Sequence, residues 1–193
     1  METTDPVSTD LASKQRASTK KAAKEISEAT FKNASKPSEK DLRRAGIDML
    51  ARREHSCVEM RRKLARKFED NFTESQIDEV IETLSAEGLQ SDLRFAESFT
   101  RSKYERGDGP YKIKAALQDR GVHAGLIERV LDDEQLDWQR RAKLLYQRKF
   151  PHYDGARERS NDYSEEVLKQ RAKEMRFLQS RGFPKDMIYS VVN

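Results

Sequence analysis

The chain has one cysteine, three histidines, one tryptophan, eight glycines and five prolines among its 193 residues, and each shortage excludes something. A single cysteine rules out an internal disulfide framework and is compatible with a reducing cytoplasm. No stretch approaches the apolar length of a membrane-spanning helix, and the N-terminus lacks the apolar run of a secretory signal. A soluble, cytoplasmic protein with no membrane partner is therefore expected. With few helix breakers and no convincing period-two alternation, the fold class expected is all-α. His55, His123 and His152 share no spacing that would assemble a metal site, and no glycine-rich phosphate loop is present. No catalytic residue, metal or cofactor is assigned, and no enzyme is expected.

What the chain does have is charge. Hydrophobic residues make up 35% and charged residues 37%, too little apolar material for one deep interior. Thin helices around several narrow cores fit this composition better, as in repeat proteins. The net charge of +4 mildly favours anionic partners, but its distribution is more informative. Residues 43–67 hold nine Lys/Arg against three Asp/Glu, whereas residues 69–87 carry seven acids and no base. Such polarity suits a partner of mixed charge.

Residues 92–131 form the clearest unit. A first helix capped near Asp92 places Phe95, Ala96 and Phe99 on one face and ends by Gly107. Gly107, Asp108 and Gly109 then lead to Pro110, which suits the first position of a new helix. That second helix buries Ile113, Ala116 and Leu117 and stops at Gly121. A third, after His123 and Ala124, carries Ile127, Val130 and Leu131. None is long enough to stand alone, so the three must share a core.

Similar units flank it. On the N-terminal side, a helix from Asp41 carries Leu42, Ala45, Met49 and Leu50. Ser56 and Glu59 read as a capping box opening a second helix, with Cys57, Met60, Leu64 and Phe68 inward. That phase makes Cys57 a small core residue rather than a nucleophile. Thr73 and Gln76 form a second box, opening a helix with Ile77, Val80, Ile81 and Leu84. On the C-terminal side, Leu117, Gln118, Arg120, Gly121, Ile127 and Val130 recur as Leu178, Gln179, Arg181, Gly182, Ile188 and Val191, at a constant offset of 61 residues. A helix, turn and helix in register indicate an internal repeat. The first helix of that copy is expected from Leu136 to Phe150, with Trp138, Ala142 and Leu145 inward; a loop from Pro151 to Asp162 then leads to a long helix. The organisation expected is a flexible polar tail over residues 1–38 and three three-helix repeats over 39–90, 91–133 and 134–193. Their tandem stacking predicts an elongated, curved array.

These segments carry a family resemblance. The run from Phe95 to Val122, preceded by Asp92, resembles the central signature of RecX regulatory proteins, modulators of the RecA recombinase. Leu50 to Ser56, with Glu59, Met60 and Leu64, is similar to the family's first-unit signature. Arg176 to Phe183, followed by Asp186 and Ile188, resembles its last. The likeness spans about Leu42 to Val192; Tyr104 and Glu105 depart from a more uniformly basic approach to the glycine turn, and Pro151 to Asp162 reads as variable. It implies three tandem three-helix repeats that lodge in the groove of the RecA filament on single-stranded DNA. It also implies restraint of filament growth, ATP hydrolysis, strand exchange and the coprotease role in the SOS response, a DNA repair and recombination setting.

Candidate contact residues follow from exposure and charge. Arg62 and Arg66, one turn apart and opposite the core, project with Lys63. Tyr111 and Lys114 share a side with Gln118, away from Ile113 and Leu117, where an aromatic beside a cation suits a base or a protein surface. Arg101 and Arg106 join this RecA- or DNA-binding set, though either could instead pair with a neighbouring carboxylate. Phe95, Phe99, Phe177 and Phe183 fall at core phase and are expected to pack. Two readings remain: a monomeric regulator of the RecA filament, touching single-stranded DNA only weakly or through the filament, or a helical module binding nucleic acid without RecA.

Overall fold

The computed structural model describes residues 36–151 and 165–192; the tail and most of the loop from Pro151 to Asp162 lie outside them. Among the described residues there are nine α-helices and no strand.

The helices group in threes. In the first group, α1 (Glu39–Leu50), α2 (Cys57–Phe68) and α3 (Glu74–Ala86) pack on one another around Leu42, Met60, Leu64, Ile77 and Leu84, all essentially inaccessible. Each such side chain contributes about 2 kcal/mol by leaving water. Caps set the helix starts: Thr73 and Gln76 form the reciprocal box at α3. At α2 only half of the expected box forms. The Ser56 hydroxyl accepts from the Glu59 amide, but the Glu59 carboxylate turns elsewhere, because stronger charged donors surround it.

The second group comprises α4 (Asp92–Glu105), α5 (Pro110–Gln118) and α6 (Ala124–Leu131), around Phe95, Ala96, Ile113, Leu117, Ile127 and Val130. Ser91, not Asp92, caps α4; this frees the Asp92 carboxylate to accept from the Cys57 amide of the first group at 2.9 Å. The third group is α7 (Trp138–Lys149), α8 (Glu165–Arg181) and α9 (Lys185–Val192), around Ala142, Tyr146, Leu178, Phe183 and Ile188. Trp138 and Leu145 are only half-buried; Tyr146 fills the centre. Glu174 occupies the repeat position of Ile113 and is buried, receiving hydrogen bonds from the Tyr146 hydroxyl at 2.9 Å and the Gln170 amide at 2.7 Å.

The groups meet through the ends of their middle helices. The C-terminal turn of α5 docks on the N-terminus of α2: the Ser56 hydroxyl donates to the Arg120 carbonyl at 2.8 Å, and a Cβ on Gly121 would collide with Val58. The C-terminal turn of α8 docks on α5 in the same way. There the Gly109 amide donates to the Arg181 carbonyl at 2.7 Å and the Tyr111 amide to the Gly182 carbonyl at 3.0 Å. Carbonyls left over at one helix end are thus satisfied by donors at the start of the next, and the helix dipoles meet with opposite ends together. Gly121 and Gly182 both adopt positive φ, +73° and +89°, and both close their helix with an amide bond back to the repeated glutamine carbonyl.

Candidate interaction surface

The side chains available to a partner lie on helix faces. Arg62 and Arg66 are exposed on α2. Arg62 reaches the end of α5, its Nη1 donating to the Asp119 carbonyl at 3.4 Å. Tyr111, at the start of α5, is 63% exposed, while Lys114 one turn on is half-buried. The difference is one of helical phase, since Lys114 lies nearer the Ile113–Leu117 core face than Tyr111 does. Among the described residues, none of Arg62, Arg66, Arg106 and Lys114 has a carboxylate within ion-pair distance.

One candidate, Lys63, behaves differently from expectation. It does not project with its neighbours: it is half-buried with Nζ 3.5 Å from His55 Nδ1. Burial, with Arg53 and Arg66 nearby, holds its ammonium below the usual lysine range. Arg101 is exposed, but it lines two shallow grooves of about 400 and 410 Å³ along α4, shared with Glu97 and Glu105. It is therefore set among acids. Arg106 closes α4, exposed, just before Gly107.

Beneath Arg62 lies a charged cluster that no single helix pattern reveals. The Glu59 carboxylate meets His55 Nδ1 at 3.0 Å, Arg53 at 3.1 Å and, across the junction, Arg120 Nε at 3.2 Å. Arg120 also stacks over the Phe99 ring at 4.7 Å. Burial pushes the Glu59 carboxyl up, but the hydrogen bond with His55 and the Arg53 guanidinium outweigh it and hold it below its ordinary value. His55 is buried, and desolvation lowers its pKa. Burial, then Asp92, raises the Cys57 thiol, so it is packed and poorly nucleophilic. The repeat alignment could have flagged Arg120, which recurs as Arg181; nothing within the first unit pointed to it.

Among the described residues no set of three metal-ligating side chains converges, and no helix is long and apolar enough to cross a membrane. Three-helix units joined end to end define an α-helical repeat protein. The chain belongs to the RecX family of regulatory proteins. The family models for the first and second three-helix domains of RecX match residues 43–84 and 91–131. Regulatory protein RecX of Halorhodospira halophila is 40% identical over 147 residues, covering 76% of this chain and 83% of that protein. Its namesake in Pseudomonas putida strain GB-1 is also 40% identical, covering 76% and 86%. The crystal structure of RecX from Lactobacillus salivarius superposes with a TM-score of 0.63 at 22% identity, covering 80% of this chain and 94% of that one; at that identity the match supports the fold.

Proposed function

We propose that this chain binds the RecA filament on single-stranded DNA and restrains its growth, ATPase, strand exchange and coprotease activity. Family membership supports the choice of partner. The observation that carries the choice of surface is the end-to-end meeting of α5 and α2, which sets Arg62 on the turn that ends α5 in the neighbouring unit. Arg62, Arg66, Tyr111 and Lys114 form its centre, with Lys63, Arg101 and Arg106 peripheral. Their cations suit phosphates or acidic side chains, and Tyr111 offers an aromatic anchor. In this reading the protein works as a cytoplasmic monomer without catalysis, through three units bounded at 39–90, 91–133 and 134–193, with residues 1–38 as an appended tail.

The test is RecA's DNA-dependent ATPase titrated with this protein. The wild type is expected to suppress it in a concentration-dependent manner, and a variant with Arg62, Arg66, Tyr111 and Lys114 all changed to alanine to need at least about tenfold more protein. If the wild type leaves ATPase, strand exchange and LexA cleavage unchanged, the proposal fails.

A further inference from the structure

Helix α7 carries Arg140, Arg141, Lys143, Arg148 and Lys149 and no acid. At 100° per residue, Arg140, Lys143, Leu144, Gln147 and Arg148 fall on one arc of about 140°, opposite Ala142 and Tyr146, and all five are exposed. Arg141 lies outside the arc and is occupied: it donates to the Glu105 carbonyl and lies over the Tyr104 ring at 5.4 Å. Some cations elsewhere find carboxylates, as in Arg43 with Glu87, Arg61 with Asp78 and Lys112 with Asp108, whereas, among the described residues, Arg62, Arg66, Arg106 and Lys114 do not. Arg140, Lys143 and Arg148 have none among the described residues.

We propose that the outward face of α7 is a second binding surface, for the phosphate backbone of nucleic acid, that operates without RecA. From Arg140 to Arg148 the helix rises about 12 Å, enough for three flexible cations and the Gln147 amide to follow consecutive phosphates. Leu144, 49% exposed, sits among them and can rest on a sugar or base. A protein partner is the poorer fit, because Leu144 is the one large apolar side chain on the arc and an interface core needs more. The opposite sign is available within the chain, on the exposed Glu74, Glu79 and Glu82 of α3. A second copy docking α3 on α7 is therefore the competing occupant.

The experiment is fluorescence anisotropy of a short labelled oligonucleotide, single-stranded and duplex, with no RecA present, at about 50 and about 200 mM salt. The wild type is compared with the variant carrying R140E, K143E and R148E. None of these side chains holds the core, so the melting curve is expected to stay put. Affinity at the lower salt should fall about tenfold or more, and the slope of log K against log salt should flatten by about two on a single strand. Loss on both substrates assigns general backbone binding; loss on the single strand alone narrows the ligand to that form. Unchanged affinity and slope would overturn the proposal. So would sedimentation showing that the wild type self-associates and the variant does not, with oligonucleotide binding equal. Retained suppression of RecA ATPase by the same variant would separate this surface from the one on α2 and α5.

Discussion

The two junctions between units occupy equivalent positions yet use different chemistry. Where α5 meets α2, side chains do the joining: Ser56 to the Arg120 carbonyl and Glu59 to Arg120, while Asp92 of α4 adds a bond to the Cys57 amide. Where α8 meets α5, the central bonds run from backbone to backbone, through Gly109 and Tyr111. Side chains assist at its edge, where Tyr104 donates to the Asp137 carbonyl at 3.1 Å and Arg141 to that of Glu105. The sequence reason is plain: Ser56 and Glu59 of α2 are replaced at the start of α5 by Gly109 and Lys112. The charge pair of the first junction gives salt and acid a point of attack, whereas the central bonds of the second join uncharged backbone groups and face backbone at Gly182.

The largest effect should come from Gly182→Ala. At φ +89° the new Cβ would lie 2.5 Å from Lys112 Cβ and 2.6 Å from its backbone nitrogen, and neither can move independently of α5. Left-handed strain and overpacking together should cost about 3–5 kcal/mol, seen as a lower urea midpoint, and a Lys112→Ala background should not rescue it. Gly121→Ala is expected to cost less. The obstacle there is the Val58 side chain, which can rotate away, leaving chiefly the left-handed strain of about 1–2 kcal/mol. In a Val58→Ala background the same change should cost less still. Equal costs for the two glycines, with no coupling to Val58, would erase the distinction between the junctions.

Acid should act on the first junction. The folded-state pKa of His55 is lowered from 6.5, so the unfolded chain takes up a proton that the folded one refuses. Stability contributed there is lost as pH falls below about 6.5. Glu59 is also depressed, and its contribution disappears at lower pH, as the carboxyl is protonated. Thermal melts from neutral to acidic pH should decline in that order, and a His55→Gln variant should lose the upper limb. A decline unaffected by His55→Gln would place the acid sensitivity elsewhere.

Much of the fold was legible because its signals are local. Helix phase found Leu42, Met60, Leu64, Phe95, Ile113 and Leu117, and the 61-residue offset found the Gly121 and Gly182 turns. What the pattern could not show was what those turns touch. A glycine after a helix reads as a stop signal, and only the fold shows Lys112 standing where its Cβ would be. Glu59 was legible as a cap partner, because a capping box looks three residues away; its bond to Arg120 spans 61 residues. For the same reason Lys63 was grouped with Arg62 and Arg66 by spacing, although His55 and burial draw it inward. The basic face of α7 passed without notice because that helix was read only for its inward residues.

The contrast between the junctions is tested most directly by native-state amide hydrogen exchange, read at Cys57, Gly109 and Tyr111 at low salt and at about 1 M. The Cys57 amide, bonded to the Asp92 carboxylate beside the Glu59–Arg120 pair, should exchange faster at high salt, while Gly109 and Tyr111, bonded to carbonyls, should not change. Equal acceleration at all three, or at the two backbone-bonded amides alone, would contradict the account.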